Sequence, residues 1–287
     1  MISLILDTDI GDDVDDAFAL AFAARHPRIR LCAVTTVLGD TRWRAALTLR
    51  LLDEMGVDDV PVAAGEQSDG VPGITLSGDV VLPPRSDDPR RDPRSAVDLM
   101  ADVIAAAPQP VWLATVGPAT NAARLLAERP GALNRLTGVV MMGGRHDPTN
   151  PREHNFGTDP AAAAAVCNSG RRVRVGDYRV TSQARLRRDD LPRLRRAPGI
   201  GPSLGLMLET YLDRRGRDWT SMYDPAVLTL ALGEDFLRLG LTPRRAEVAA
   251  GQIRFRVAGE ATQLRIAAAI DAAAFRGELL DVIGVHE

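Results

Sequence analysis

The stretch LILDTDIGDDVDDAFAL, residues 4–20, decides how the rest of the chain is read. Its apolar opening, residues 4–6, has the character of a buried β-strand. Val14, Ala17, Phe18, Ala21 and Phe22 then recur at helical spacing until Pro27 stops the pattern. Asp7 and Asp9 stand where the strand ends, Gly11 permits a sharp turn, and Asp15 and Asp16 enter the first turn of the helix.

The same alternation continues outward. Residues 31–37 read as the next strand, followed by a helix over 41–54 and a short strand over 60–64. Residues 67–94, rich in Gly, Pro and Asp, read as a long loop of the functional or mobile kind. Then come a helix (95–107), a strand (111–116), a helix (121–128) and a strand (139–142). A second loop, 143–159, precedes a helix over 161–168 and a strand over 172–175. The last third reads as mainly helical, with one strand pattern at 263–268 near its end. Such alternation predicts an α/β fold: a doubly wound, mostly parallel central sheet with helices on both faces. No repeat or linker divides the chain, so residues 1–287 are expected to form one domain. Sites in such sheets lie beyond the carboxyl ends of the strands.

Composition narrows the chemistry. The 287 residues carry 35 basic and 38 acidic side chains, a formal charge of −3, and 45% are hydrophobic, which excludes a disordered or fibrous chain. Every basic residue is Arg. Without Lys there is no Schiff base, no pyridoxal attachment and no Gly-Lys-Ser/Thr phosphate loop. The four His residues, His26, His146, His154 and His286, are too few and scattered for a His-rich zinc site. Cys32 and Cys167 read as reduced core residues. No run approaches the roughly 20 apolar residues of a spanning helix. The start of the chain has no basic segment of the signal-peptide kind, so a cytoplasmic location and no membrane partner are expected.

Acid is the abundant chemistry, and six Asp residues fall between positions 7 and 16. Carboxylates so close repel one another and raise each other's pKa unless a cation is present. A hard divalent ion with oxygen ligands answers that, and calcium tolerates irregular geometry better than magnesium. Helix-dipole capping, at about 0.3–1 kcal/mol each, accounts for Asp15 and Asp16. Turn formation accounts for Asp12 and Asp13, but neither effect explains Asp7 and Asp9. An EF-hand is excluded, because Phe18 occupies the twelfth position counted from Asp7. A phosphatase with Asp7 as nucleophile stays open, although the absent Lys counts against it. Further polar strand ends occur at TTVLGD (residues 35–40), TVGPATN (115–121), MMGG (141–144) with REHNFGTDP (152–160), and YDPAV (223–227). One ligand can gather them.

These motifs, in this order, resemble the nucleoside hydrolases, the inosine–uridine-preferring N-ribohydrolase family. The resemblance runs from Leu4 to Phe275, and residues 7–17 look like the DTDIGxDxDDA variant of the family's N-terminal signature. It implies one calcium ion held by Asp9, Asp16, the backbone carbonyl of Val116, and Asp224. Asp15 would hold a ribose hydroxyl, with Glu153 and Asn155 on the rest of the sugar and Met142 lining its pocket. Asp9 would also be the general base for a calcium-bound water, with Asp7 supporting it from behind. The implied reaction is calcium-dependent hydrolysis of a ribonucleoside to ribose and free base, as in purine or pyrimidine salvage. The implied partners are a small-molecule nucleoside and further copies of the chain, as homodimer or homotetramer.

Departures from the pattern shape the remaining expectations. Tyr223 stands where many members have a His that protonates the leaving base, and a phenol is a weaker acid than imidazolium. Asp40 replaces an Asn that contacts the sugar, Ser77 replaces a His before Gly78, and Arg179 stands where an Asp is common. His154, and also His146, lie in the loop near the sugar-binding residues. The run over residues 185–196 is rich in Arg, but its interleaved Asp and Leu mark a solvated helix face, and no nucleic-acid partner is expected. Two other readings remain: a calcium-dependent nucleoside- or ribose-binding protein with little turnover, and the metal-dependent phosphatase using Asp7.

Overall fold

Strand and helix alternate through the first two thirds of the chain in the computed structural model, which describes residues 1–68, 77–147, 149–150, 152–233 and 235–285. The order opens with β1 (Ile2–Thr8), α1 (Asp15–Arg25), β2 (Ile29–Thr36), α2 (Thr41–Glu54) and β3 (Val62–Ala64). It continues with α3 (Ala96–Ala106), β4 (Val111–Thr115), α4 (Thr120–Glu128) and β5 (Leu136–Met142). Next come α5 (His154–Thr158), α6 (Pro160–Cys167), β6 (Val173–Gly176) and α7 (Tyr178–Thr181). Then follow β7 (Arg185–Arg187), α8 (Leu191–Leu194), α9 (Gly201–Arg215), β8 (Trp219–Ser221) and α10 (Tyr223–Leu232). The chain closes with β9 (Leu237–Leu239), β10 (Arg244–Ala249), β11 (Gln252–Val257), β12 (Leu264–Ile270) and α11 (Ala272–Ile283).

The main sheet has the order β11-β10-β12-β6-β5-β4-β1-β2-β3, with β9 paired to β12. From β3 to β12 every neighbouring pair is parallel. Helices cover both faces, so the expected doubly wound fold is the observed one. The alternation within β1 shows how the sequence achieves this. Leu4 and Leu6 pack in the core that includes α1, α9 and α10, while Ile5 packs in the core with α3, α4 and α6. The chain leaves β1 toward β2 and β3, then returns to β4 on β1's other side. This reversal makes the carboxyl ends of β1 and β4 the switch point where such sheets open a crevice.

Two expectations need correction. The last third is not mainly helical, because β10 and β11 form an antiparallel hairpin with Ala249 opposite Gln252. Ala250 and Gly251 both take positive φ, 50° and 68°, the backbone that a two-residue hairpin turn requires. Only Ala246, Ile253 and Phe255 face the core, so the flanking arginines and Glu247 obscure the period of two. The arginine run is not one helix face either. Its first residues form β7, paired antiparallel to β8, before the short helix α8. Part of the expected loop over 67–94, and His286, lie outside the described residues. Among the described residues, no helix is long and apolar enough to cross a membrane.

Candidate active site

The site begins where β1 stops. Asp7 is fully buried between β2 and α4, accepting hydrogen bonds from Thr35 Oγ1 at 2.7 Å and Asn121 Nδ2 at 2.9 Å. Burial pushes its carboxyl up to about 7. Asp7 is absent from the lining of the neighbouring cavity, so it has no access to a phosphorus atom, and the phosphatase reading fails on that ground. Beyond it the backbone turns through Gly11 at φ 115°, where a Cβ would meet the Trp43 ring at 2.6 Å. A buried guanidinium holds this turn from below. Arg44 of α2 donates to Leu38 O at 2.7 Å, to Ile10 O at 2.8 Å, to Asp9 O, and to the Asp12 carboxylate at 2.8 Å.

A cavity of about 360 Å³ opens at the switch point, lined by Asp9, Asp12, Asp13, Asp15, Asp16, Val116, Met142, Glu153, His154, Asn155, Tyr178, Arg215, Tyr223 and Asp224. Asp15, Asp16 and Asp224 each bring a carboxylate oxygen to within 4.8 Å of the others, and all three are buried. Asp16 accepts from Thr8 Oγ1. Asp15 accepts from the backbone N–H groups of Tyr223 at 3.1 Å and Asp224 at 3.4 Å, which ties α1 to the start of α10. The gathered triad therefore contains Asp15, which the resemblance places on a sugar hydroxyl. Asp9 lines the same cavity, and Gly117 keeps space for it, since a Cβ there would lie 2.7 Å from Asp9 Oδ1.

The opposite wall comes from the loop before α5. Glu153 caps that helix, accepting from Asn155 N and Phe156 N at 2.9 Å each, and it also accepts from Gly144 N at 2.8 Å. Asn155 Nδ2 donates to Val116 O at 2.5 Å and Met142 O at 3.2 Å, so one carboxamide joins the ends of β4 and β5. His154 Nε2 lies 4.0 Å from Asp9 Oδ2. The Tyr223 ring stacks on Tyr178 with centroids 5.4 Å apart, and Arg145 sits 5.1 Å above the far ring.

Comparison with known proteins identifies the family. The family model for inosine-uridine preferring nucleoside hydrolases matches residues 4–277. The chain belongs to this family. It is 30% identical over 311 aligned positions to the pyrimidine-specific ribonucleoside hydrolase RihA of Shewanella sp. (strain MR-7), covering 99% of this chain and 96% of the relative. Among solved structures it is similar to the purine-preferring ribonucleoside hydrolase of Gardnerella vaginalis, at TM-score 0.82, 22% identity and 98% of each chain. It is also similar to the inosine-uridine preferring nucleoside hydrolase of Bacillus anthracis, at TM-score 0.82, 17% identity and 100% of each chain. The chain is an N-ribosyl (nucleoside) hydrolase.

Two expected contributors stand elsewhere in this hydrolase. Asp40 is absent from the cavity lining; it caps α2 by accepting from Trp43 N at 3.1 Å and also accepts from Gln67 Nε2 at 3.1 Å. His146 lines a separate cavity with Asp177, Arg179 and Arg244. Ser77 and Gly78 donate their N–H groups to Gly11 O at 2.8 and 3.0 Å, closing the loop over the turn. His26 is buried against Glu278 at 3.0 Å, away from the site. Sequence reasoning missed Arg44, although the residue falls on the apolar face that Leu47, Leu51 and Leu52 define, an unusual place for a guanidinium. It also missed Tyr178 and Arg215, for which no local pattern signals a site.

The electrostatics follow from burial. Desolvation raises Asp9 to about 6, partly opposed by Arg44, and it raises Asp15 to about 8. It drives Asp16 and Asp224 well above the ordinary carboxylate range, with neighbouring carboxylates adding to the effect. Groups whose folded pKa is raised stabilise the fold below their ordinary value of 3.8 and lose that contribution as pH rises through about 6 to 8. The cation-free protein is therefore expected to melt at a lower temperature at pH 8.5 than at pH 5.5. A divalent cation that binds these oxygens should reverse the loss at pH 8.5, because it competes with protons for them. Thermal melts at the two pH values check this; a cation-free protein that melts higher at pH 8.5 contradicts it.

Proposed function

We propose that this hydrolase cleaves the N-glycosidic bond of a ribonucleoside to ribose and free base, with calcium as its cation and Asp9 as general base. The observation that carries the reading is the convergence of Asp15, Asp16 and Asp224 with Asp9, Glu153 and Asn155 on one cavity. The clustered donors are all carboxylate oxygens, with Asp9 and the Val116 carbonyl nearby, and such a set fits a hard divalent ion of flexible coordination. When bound, calcium supplies the positive charge against which these carboxylates ionise and an anchor for the ribose hydroxyls.

In the reaction, the C1′–N bond breaks with its electron pair on the base nitrogen, and water adds to C1′ through an oxocarbenium-like sugar. Asp9 takes the water's proton. Glu153 and Asn155 hold the sugar, Met142 packs against it, and the carboxylates around the ring stabilise the growing positive charge. Tyr223 faces the departing base. Burial raises its phenol above the usual range, so it acts as a neutral hydrogen-bond donor. His154 is a further contact for the substrate beside Asp9.

The Shewanella relative is named pyrimidine-specific and the Gardnerella one purine-preferring, so uridine and inosine are the first substrates to compare. We place the protein in nucleoside salvage in the cytoplasm, which its two free cysteines support, acting as a single catalytic domain in a homodimer or homotetramer. Ribose release from a ribonucleoside panel by cation-stripped and calcium-reloaded protein tests the reading. Nucleoside bound but recovered intact would favour the binding-protein alternative.

A further inference from the structure

A second cavity, of about 580 Å³, adjoins the first and shares Asp13, Tyr178, Arg215 and Tyr223 with it. The charge reverses between the two. Six aspartates and Glu153 face Arg215 alone in the first, whereas Arg185, Arg215 and Arg217 face Asp13 alone in the second. The cationic wall is partly fixed. Arg185 lies 3.7 Å over the Trp219 ring and donates from Nε to Ser182 O at 3.2 Å, and its terminal nitrogens make no hydrogen bond among the described residues. Arg215 lies 5.4 Å from the Tyr211 ring centroid, and its contact with Asp13, at 3.5 Å, is long. Arg185 and Arg217 make no ion pair with an acidic group among the described residues. The β7–β8 pairing that sets Arg185 opposite Ser221 also delivers the chain into Tyr223.

We infer that this second cavity receives an anionic substituent on the leaving base, so that the substrate class is a riboside of a carboxylated heterocycle. The inference rests on the riboside-hydrolase reading, because Tyr223 divides the sugar end from the second cavity. Guanidinium groups stay charged at every working pH and match a carboxylate with paired N–H donors. The two cavities thus select a ligand with a neutral polyhydroxyl end and an anionic planar end. The arrangement also eases departure. As the C1′–N bond breaks and its electron pair passes to the ring nitrogen, the arginines oppose the negative charge on the leaving side. Water supplies the new C1′–O bond and gives its proton to Asp9.

5-Carboxyuridine and 5-carbamoyluridine test the inference, since they share a shape, have an uncharged ring nitrogen at C1′ and differ in the charge of one substituent. Wild-type enzyme loaded with calcium is expected to show kcat/KM at least tenfold higher for the carboxylate. Arg185→Gln and Arg217→Gln, each checked for a wild-type melting temperature, should each lower that ratio at least threefold, and together by tenfold. A ratio near one in the wild type, or one that the substitutions leave unmoved, overturns the inference. Uridine 5′-monophosphate separates the source of the anion: a preference for it over uridine that the same variants abolish would assign the arginines to a sugar phosphate and overturn the carboxylate reading. Cleavage of uridine or inosine without the carboxylate preference sinks this inference alone. Failure to cleave any riboside sinks the hydrolase reading with it.

Discussion

Asp9→Asn is expected to lower kcat for ribose release by about 10²–10⁴-fold, the range that a positioned acid or base contributes. The substitution preserves the size of the side chain and removes its ability to take a proton, together with the negative charge it offers a cation, which saturating calcium offsets. Asp9 lies at the end of β1 against Gly117, and its backbone carbonyl is held by Arg44, so the carboxamide has the same place to occupy. KM should therefore change much less than kcat, the signature of an interaction made in the transition state. Steady-state rates of ribose formation with saturating calcium check this. A variant within threefold of the wild type in kcat would remove Asp9 from proton transfer.

Arg44→Met is expected to destabilise the fold by about 3–5 kcal/mol, as when one partner of a buried ion pair is removed. Arg44 is 4% exposed, and its guanidinium serves the carbonyls of Leu38, Asp9 and Ile10 as well as the Asp12 carboxylate. Met fills much of the volume but satisfies none of these groups, and each buried acceptor left unpaired costs about 1–3 kcal/mol. It also removes the cation that opposes the raised pKa of Asp9 and Asp12. The midpoint of urea unfolding, compared at one pH and one calcium concentration, measures the effect. A shift worth less than about 1 kcal/mol would show that the turn after β1 does not depend on Arg44.

Residues 4–20 alone carried the first strand, the turn and the first helix, because the apolar periods of two elements are uninterrupted there and Gly11 marks the junction. The same clarity extends through the parallel strands, whose burial on both faces leaves short apolar runs that no helix pattern imitates. It fails at β10 and β11, which are covered on one face only and carry arginines on the other. It fails again at Arg185, where Leu186, Leu191 and Leu194 are all buried but lie on a strand and a separate helix. At the site, the carboxylates were legible because Asp7 and Asp9 end an apolar strand, where neither helix capping nor turn formation calls for acid. Which three converge was not, since Asp224 reaches Asp15 and Asp16 only through the packing of α10 on α1. Asp40, a further carboxylate after a strand, caps the next helix. The cationic cavity beyond Tyr223 joins residues from β7, α9 and β8, a long-range arrangement with no local pattern.

The proposed hydrolysis depends on a cation held where the carboxylates of Asp15, Asp16 and Asp224 converge. Its most direct measurement is ribose release from uridine and inosine by cation-stripped protein, before and after titration with calcium. No release above background is expected without the cation and full recovery on adding it, with no recovery in Asp224→Ala at the same calcium concentrations. Equal rates in the stripped and reloaded protein, or full recovery in Asp224→Ala, would contradict it.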